Sequence, residues 1–301
     1  MKRRDFIKTS AGAAALSLLP TMKSFSSLTN KPDLVVVKDG EPAEMVKKAI
    51  ETIGGMSRFI SKGDIVVLKP NMSWDRVPEQ AATTNPDVVS QVVKLCLEAG
   101  AKKVKIFDNT LNEARRCYKR SGIEKAAKEA GADVFFIMEK KFVKTKFPEG
   151  EMIKRWEVYE DVLEADKIIN IPIAKTHNVQ EAKVSLGMKN LMGHIGGNRG
   201  KFHRRFDVKI TDLSTKIKPD LIILDAYRML IRNGPTGGNL DDVTLKKCVA
   251  VGTDPVAVDS FGATLFGLDP KILQYLTVAN QRGLGEIDLK KINILTHSFS
   301  S

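Results

Sequence analysis

The sequence predicts an α/β fold with a mostly parallel sheet, helices on both faces and a small charged hairpin insertion. Strand-like and helix-like runs alternate from residue 31 to the end of the chain. Most strand-like runs are apolar at consecutive positions, which is typical of strands covered on both faces of a parallel sheet. Four junctions repeat the order of helix end, short turn and apolar strand, at 97–107, 128–138, 163–173 and 216–226.

The first part of the chain has well-marked element boundaries. Its predicted elements are a strand at 33–37, a helix at 42–53 and a strand at 64–70. The next helix is predicted to begin after Asn85, because Asn is a favoured N-cap and Pro86 is favoured at the first helical position. An apolar stripe continues this helix to Gly100, and a strand is predicted over 104–108.

An irregular, charged segment follows further along the chain. Ser121 and Glu124 have the spacing of a capping box, which predicts a helix over 122–130 and then a strand over 132–138. Residues 139–160 are rich in charged side chains and poor in continuous apolar runs. We therefore expect an antiparallel hairpin or an edge insertion there.

The composition is ordinary for a globular protein, with 43% hydrophobic and 28% charged residues in a chain of 301. These values exclude wholesale disorder. No linker rich in Pro, Gly or Ser interrupts residues 31–301, so a single domain is predicted there. No apolar run approaches the ~20 residues that a membrane-spanning helix needs, and no transmembrane anchor is expected.

Residues 1–30 have the features of an export signal. A basic head is followed by an apolar stretch over 11–19 and a serine-rich tail. The motif Arg3-Arg4-Asp5-Phe6-Ile7-Lys8 resembles the twin-arginine signal. This resemblance implies that the folded protein passes through the twin-arginine export machinery to the periplasm or another extracytoplasmic space. An amphipathic N-terminal helix is the alternative, and no clear cleavage site follows.

The formal net charge is +12, of which +4 lies in residues 1–30. A strongly basic protein is a candidate for binding nucleic acid or an anionic membrane. The chain contains no helix-turn-helix, zinc-finger or base-stacking pattern, so no nucleic-acid partner is expected. Many of the remaining cations lie near predicted strand ends, which favours a pocket for a small anionic ligand.

The three cysteines, Cys96, Cys117 and Cys248, form no C-x-x-C motif. A four-cysteine iron–sulfur or zinc set is therefore excluded within one chain. Cys96 and Cys248 lie in apolar patterns and are expected to be buried core thiols. One disulfide is the alternative in an oxidising compartment. The residues identify no cofactor, and the carboxylates discussed below are compatible with a divalent cation.

Polar side chains follow five of the predicted strands. In open α/β sheets, ligands bind outside the carboxyl ends of the strands, so these side chains are candidates for one site. They are Lys69, Asn71, Asp108, Lys175, His177, Asp225 and Asp254. Strand-end aspartates also cap helices and make turns, and this is the favoured role for Asp254, which precedes Pro255.

The densest group of polar residues lies between two histidines, His177 and His203. Lys189 and Asn190 fall on an apolar pattern over 183–192 that is typical of an amphipathic helix, with solvated lysines on a core helix as the alternative. A glycine-rich basic segment follows, which carries Arg199, Lys201 and His203. Exposed backbone amides and cations suit a phosphate or a carboxylate, although a solvated loop has the same pattern. The histidine spacings match no metal signature.

A further carboxylate lies near the last strong helix signal. Asp259 is placed about one turn inside an otherwise apolar helix that is predicted to begin after Asp254, following a strand over 246–251. A carboxylate in that position needs a polar cleft or a cation. Asp259 is therefore a better functional candidate than Asp254. The loop 233–239 is predicted to be a lid hinge or a long turn.

Seven motifs together resemble the family called domain of unknown function 362. They are KPNMSW (69–74), ATTNPDVVSQVV (82–93), EAGAKKVKIFD (98–108), NIPIAKTH (170–177), VSLGMKNLMG (184–193), PDLIILDA (219–226) and VGTDPVAVDSFGATLFG (251–267). Some members carry ferredoxin-like cysteine motifs, which this chain lacks, so the resemblance implies no cluster here. The positions it carries over are Lys69, Asn71, Lys175, His177, Lys189, Asn190, Asp225, Asp254 and Asp259.

The favoured hypothesis is an exported enzyme that acts on a small anionic substrate or cofactor at this edge of the sheet. Lys69, Lys175 and Lys189 would hold the anion, and His177 would act as acid or base. The other catalytic candidates are Lys189, Asp225 and Asp259, of which the carboxylates would orient His177 or hold a cation. The alternatives are a redox accessory protein that binds a cofactor or an iron–sulfur partner, and a non-catalytic binding protein for an anion.

Overall fold

The computed structural model describes residues 31–299, so the predicted export signal lies outside the described residues. The strands of this region are β1 Leu34–Lys38, β2 Ile65–Pro70, β3 Lys103–Ile106, β4 Asp133–Val134, β5 Phe142–Lys146, β6 Arg155–Tyr159, β7 Lys167–Ile171, β8 Ile173–Thr176, β9 Val184–Ser185, β10 Leu221–Leu230, β11 Val243–Gly252 and β12 Ile294–Ser298. Its α-helices are α1 Pro42–Thr52, α2 Pro86–Glu98, α3 Ala114–Arg120, α4 Ile123–Glu129, α5 Glu160–Glu164, α6 Gly187–Asn190, α7 Phe206–Lys216, α8 Pro255–Thr264 and α9 Gln274–Gln281.

One large sheet organises the described residues. Its strand order is β12-β1-β11-β10-β7-β2-β3-β4, with β8 paired to β10 and β9 paired to β8. Strand β11 is antiparallel to β1 and β10, and β9 is antiparallel to β8. All other pairings in this sheet are parallel. The prediction of a mostly parallel sheet is confirmed.

Helices cover both faces of the sheet, as predicted. Alternate residues of β1 belong to different cores: Val35 and Val37 pack in the cluster that contains α1 and α2 residues. Leu34 and Val36 belong to the cluster with residues of α7, α8 and α9. The strands are apolar at consecutive positions because both faces are removed from water, and each fully buried Val or Leu contributes roughly 1.5–3 kcal/mol.

Helix α2 begins where the sequence predicts. The Asn85 side chain accepts a hydrogen bond from the Asp87 N–H at 3.0 Å, and Pro86 is the first helical residue. The Asn85 N–H itself donates to Asp225 Oδ2 at 2.7 Å. Since Asp225 is the fifth of the ten residues of β10, this bond fixes the start of α2 to the middle of that strand.

The capping box predicted for α4 does not form. The helix starts at Ile123 after Gly122, whose φ of 74° is a conformation that glycine adopts readily. Glu124 pairs instead with Lys128 one turn later, at 2.7 Å. The i, i+4 ion pair therefore takes the carboxylate that a capping box would have used.

The strand predicted over 132–138 is wrong in length, because only β4 pairs with the sheet. Two tyrosines take over the backbone groups of the rest of the segment. Tyr118 Oη donates to the Phe135 carbonyl at 3.1 Å, and the Met138 N–H donates to Tyr159 Oη at 3.3 Å. These side-chain bonds satisfy polar groups that a longer strand would have paired.

The helix indicated over 183–192 is also replaced by other structure. Lys183 has a φ of 53°, outside the right-handed helical region. Strand β9 then pairs with β8, and only the four residues of α6 are α-helical before a 3₁₀ turn over Leu191–His194. Residues that the apolar pattern assigned to a helix thus form strand β9 and pair with β8.

The charged hairpin insertion is confirmed. Strands β5 and β6 pair antiparallel as a separate two-stranded sheet, from Phe142 opposite Tyr159 to Lys146 opposite Arg155. Across residues 31–299, no helix combines the length and apolar character needed to cross a bilayer.

Candidate functional site

A cavity of about 160 Å³ opens at the carboxyl ends of β2 and β8, and we call it the cation cavity. Asn71 directly follows β2, Lys175 belongs to β8 and His177 directly follows β8. Seven of the residues predicted from sequence line it: Asn71, Lys175, His177, Lys189, Asn190, Arg199 and His203. The site expected at this edge of the sheet therefore corresponds to a real concave space.

Charge in the cation cavity is strongly one-sided. Lys175, Lys189 and Arg199 line it, whereas none of its described lining residues carries a carboxylate. Within residues 31–299, the Lys189 ammonium makes no hydrogen bond and no ion pair. Burial and the neighbouring Arg199 lower the pKa of Lys189 to about 8. An ammonium without a partner in a partly buried site is unfavourable, so an anion entering the cavity would gain a strong interaction.

Lys175 is almost fully buried and is held by neutral groups. Its Nζ donates to the Ala82 carbonyl at 2.5 Å and to Asn71 Oδ1 at 3.4 Å. The ammonium also lies 5.8 Å from the centre of the Trp74 ring, a cation–π distance. Burial and the charge of Lys189 hold the pKa of Lys175 well below its usual range.

Two residues of the predicted set form the wall behind the cavity. Lys69 Nζ lies 3.0 Å from Asp108 Oδ1, and both side chains are buried. Asp108 Oδ2 also accepts the Met72 N–H at 2.7 Å and the Ser73 hydroxyl at 3.2 Å. Burial lowers the pKa of Lys69 despite the attraction of Asp108. Asp108 thus pairs with Lys69, and its charge also acts on Lys175 and Arg199 from behind the cavity lining.

Asn190 connects this wall to the cavity. Its side-chain amide donates to the Lys69 carbonyl at 2.9 Å and to Asn170 Oδ1 at 2.8 Å, while its Oδ1 accepts from Asn71 Nδ2 at 3.1 Å. Sequence reasoning missed Asn170. The signal was one polar residue inside the apolar run over 168–173.

The two histidines of the cavity are held neutral. Burial, followed by the charge of Lys189, lowers the pKa of His177 to about 2. His177 Nδ1 accepts the Val179 N–H at 3.0 Å, so the proton of the neutral ring sits on Nε2, which becomes a donor. His203 lies with its ring centre 5.8 Å from that of His177, and its buried Nδ1 has no hydrogen-bond partner. Burial also lowers the pKa of His203.

Arg199 anchors the glycine-rich segment beside the cavity. Its guanidinium donates to the Asn109 carbonyl at 2.6 Å and to the Thr110 carbonyl at 3.2 Å. Lys201 is exposed and lines a separate cleft with Lys144 and Arg155 of the hairpin. The structure thus brings Arg199 to the cavity but places Lys201 outside it.

The three remaining carboxylates contact backbone amides instead of the cavity. Asp225 accepts the N–H groups of Asn85 and Tyr227, and burial raises its pKa to about 6. Asp254 caps α8, as its favoured interpretation predicts. Burial raises the pKa of Asp259 to about 7. A direct catalytic role for Asp225 and Asp259 stays a prediction. In the structure both carboxylates accept backbone N–H groups and hold the backbone in place.

Asp259 holds the helix that carries Lys189. Its carboxylate accepts the Gly187 N–H at 2.6 Å and the Met188 N–H at 3.0 Å, and the Tyr275 hydroxyl lies 3.3 Å away. These bonds satisfy the first amides of α6, which have no partner within the helix. Asp259 therefore fixes the backbone two residues before Lys189.

The apolar part of the lining was not predicted. Trp74, Leu111, Met192 and Pro235 complete the cavity wall. Trp74 had a usable signal, because it closes the KPNMSW segment after β2. Pro235 is brought in by the 233–239 loop, where Gly234 has its Cα so close to the Thr176 carbonyl that a Cβ would overlap it.

The described residues offer no preformed metal centre. Between residues 31 and 299, no group of three or more His, Cys, Asp or Glu side chains is arranged to hold a metal ion. Cys96, Cys117 and Cys248 are all buried free thiols, and burial raises the pKa of both Cys117 and Cys248 to about 11. The expected core thiols at Cys96 and Cys248 are confirmed.

The fold and the cavity define an α/β protein with a cationic site at the carboxyl ends of its sheet strands. The chain belongs to the family described as "Domain of unknown function (DUF362)", whose model matches residues 66–264. It is also similar to the thylakoid-associated protein sll1697 of Synechocystis sp. The two are 27% identical over 248 residues, which cover 80% of this chain and 74% of the relative.

Two solved structures show weak similarity to this chain. One is the lactate racemase apoprotein from Thermoanaerobacterium thermosaccharolyticum, with a TM-score of 0.44, 12% identity and 78% of this chain covered. The other is a Thermotoga maritima protein, with a TM-score of 0.41, 12% identity and 81% of this chain covered. This chain spans 57% and 60% of those two proteins, respectively.

Proposed function

We propose that this protein is an enzyme whose cation cavity binds a small organic anion. The observation that carries the proposal is the charge of the lining: Lys175, Lys189 and Arg199 face a cavity without a lining carboxylate. Cations taken out of water are costly unless they are paired. A carboxylate or phosphate on the ligand would supply the missing partner, with Lys189 as its first contact.

The apolar lining supports an organic ligand over a bare inorganic ion. The cavity that the cations line is also lined by Trp74, Leu111, Met192 and Pro235, and an inorganic anion would leave these surfaces without contacts. Most ligand sites combine apolar walls with a few polar groups that fix orientation. A cavity of about 160 Å³ suits a compound with only a few carbon atoms.

The two neutral imidazoles favour catalysis over simple binding. His177 offers an N–H from Nε2, whereas His203 offers a buried Nδ1 that no protein group uses. A donor and a free ring nitrogen in one cavity can polarise a ligand oxygen and receive a proton. An anion bound at Lys189 would also raise the pKa of both rings, because it cancels the part of the lowering that Lys189 adds to burial.

Titration calorimetry with propionate tests the proposal. We expect propionate to bind the wild-type protein at one site and to bind Lys189→Met at least tenfold more weakly, a loss of about 1.4 kcal/mol. Lys216→Met is the matched control, because Lys216 is an exposed lysine on α7 without a partner in the described residues. Equal affinities for all three proteins, or no binding by any, would contradict the proposal.

Recovery of a converted compound separates an enzyme from a binding protein. After incubation with a panel of small carboxylic acids, the proposal predicts loss of one acid and appearance of a product with the wild type but not with His203→Asn. Quantitative recovery of every bound acid would leave an anion-binding protein and rule out the catalytic part of the proposal.

A further inference from the structure

The position of Lys189 is fixed more firmly than that of a typical exposed lysine. It lies in α6, whose first amides are bonded to the buried carboxylate of Asp259. Asn190, the next residue, is held through its side chain by Asn71, Asn170 and the Lys69 carbonyl. The backbone on both sides of Lys189 is thus held by hydrogen bonds, while its own amino group is left without a protein partner.

The surroundings of this amino group suit a nucleophile. Lys175 and Arg199 line the same cavity and disfavour a further positive charge, and no lining carboxylate stabilises the ammonium. Burial and Arg199 bring the pKa of Lys189 to about 8, so a useful fraction is the free amine near neutral pH. Lysines with a lowered pKa in a desolvated, cationic site attack carbonyl carbons readily.

We propose that Lys189 forms an imine with a small oxo acid whose carboxylate is bound by Lys175 and Arg199. The inference rests on the proposed anion site and deepens it, because it names carbonyl-bearing carboxylates as the ligand class. An oxo acid meets both demands of the cavity: its carboxylate pairs with the fixed cations, and its neighbouring carbonyl carbon is the electrophile for the amine.

The step is balanced without an added oxidant or reductant. The Lys189 nitrogen lone pair attacks the carbonyl carbon, which forms the C–N bond and breaks the carbonyl π bond. His203 Nδ1 takes one proton from the nitrogen and passes it to the oxygen, which gives a carbinolamine with a hydroxyl group. The second nitrogen proton reaches the hydroxyl by the same route, so the C–O bond breaks, water leaves and the C=N bond forms. His177 assists by donating a hydrogen bond from Nε2 to the ligand oxygen. The hydrogen bond from the Val179 N–H to Nδ1 orients the His177 ring for this contact.

Trapping with a reducing agent tests the inference. The full-length protein is incubated with 2-oxobutyrate and sodium cyanoborohydride, and adducts are counted by intact mass and located by peptide mapping. We expect one reduced adduct per chain, at Lys189, that excess propionate suppresses. Lys189→Arg keeps a cation but cannot form the adduct, and Lys216→Met is expected to react like the wild type.

Each outcome has a distinct meaning because propionate binding is measured on the same preparations. Calorimetric binding of propionate without an adduct at Lys189 would overturn the imine and leave the anion site standing. Absence of both would overturn the two proposals together. Adducts spread over exposed lysines, or unchanged in Lys189→Arg, would also overturn the imine. Far-ultraviolet circular dichroism and thermal unfolding check that each variant is folded.

Discussion

The two proposals assign Lys189 two roles that need different protonation states. The ammonium form would attract an anion, and the amine form would attack a carbonyl carbon. Its pKa of about 8 lets both forms coexist near neutral pH. The lowering has a simple origin, since burial acts first and the neighbouring Arg199 adds to it. The charged or titratable side chains that line the cavity with Lys189 are Lys175, His177, Arg199 and His203. The ion pair of Lys69 and Asp108 lies behind them.

The affinity for propionate is expected to fall as pH rises through about 8, because the empty cavity loses the Lys189 proton there. Anion binding favours the protonated form of Lys189. Loss of this one proton therefore lowers the propionate affinity by roughly tenfold per pH unit at most. Lys189→Met is expected to lack this part of the fall and to keep any contribution from Lys175. Calorimetry across the pH range measures it, and parallel curves for the two proteins would contradict the assignment.

Imine formation is expected to change in the opposite direction. Below about pH 8 the ammonium cannot attack, so the rate of trapping with 2-oxobutyrate should rise with pH until anion binding weakens. The adduct yield at fixed ligand concentration is therefore expected to pass through a maximum. A yield that rises without a maximum up to the pKa of an ordinary lysine would indicate reaction at exposed side chains.

The sequence predicted which residues lie together at the cavity where the end of a strand alone decides a side chain's surroundings. Lys175 and His177 lie at the end of β8, and the carboxyl edge of a sheet is where ligands bind. Asp225 follows the apolar run that predicted a strand end, yet it lies in the middle of β10 and its partners are amides at Asn85 and Tyr227. The first of these amides is 140 residues away in the chain, which no local pattern reveals.

At the scale of elements, α6 is a short helix whose place depends on one buried carboxylate. Four residues cannot form a stable helix by themselves, because nucleation is unfavourable. Asp259 supplies the acceptors for its first amides, and Asn190 fixes its end. The helix is thus held by tertiary contacts, and its lysine is presented to the cavity as a consequence.

Asp259→Asn is expected to destabilise the protein and weaken propionate binding together. Asn replaces one acceptor oxygen by an NH₂ group that faces amide donors, which costs about 1–3 kcal/mol. Urea denaturation above pH 7, where Asp259 is ionised, measures the loss. Tyr275→Phe is the matched control, because it removes only the hydroxyl contact at 3.3 Å and should cost about 0.5–1.5 kcal/mol. Unchanged propionate affinity in a destabilised Asp259→Asn would contradict the link between α6 position and the site.

Element prediction was reliable at the start of α2, where the signals are local, but the equally local capping-box signal before α4 failed. Asn85 and Pro86 start α2 through contacts within one turn, and the sequence displays them directly. The segment after β4 leaves the sheet because Tyr118 and Tyr159 bind its backbone. In the other segment, the backbone of Lys183 lies outside the helical region and β9 pairs with β8. These outcomes depend on partners that only the folded chain brings together.

On the scale of the whole molecule, the net charge of +12 has two separate meanings. Residues 1–30 carry +4 of it, in the segment that resembles an export signal. Within residues 31–299, Lys175, Lys189 and Arg199 are concentrated in one cavity. A basic isoelectric point therefore accompanies a cavity lined by cations here, and need not indicate a nucleic-acid surface.

We propose that residues 1–30 direct export of the folded protein. Fusion of this segment to green fluorescent protein is expected to give extracytoplasmic fluorescence in a bacterium with the twin-arginine machinery. Replacement of Arg3 and Arg4 together by Lys should abolish it, because the paired arginines are the receptor-read feature. Lys23→Arg, outside the motif, serves as the control. Equal export of the double variant would contradict the proposal.

The central claim is that a small organic anion binds among Lys175, Lys189 and Arg199. Its most direct test is a ¹⁵N nuclear magnetic resonance titration of the protein with propionate. The account predicts saturable shifts of the backbone amides of Lys175, Lys189 and Gly200, all in the cavity lining, and their loss in Lys189→Met. Shifts confined to the cleft at Lys144 and Arg155, or linear shifts that never saturate, would contradict it.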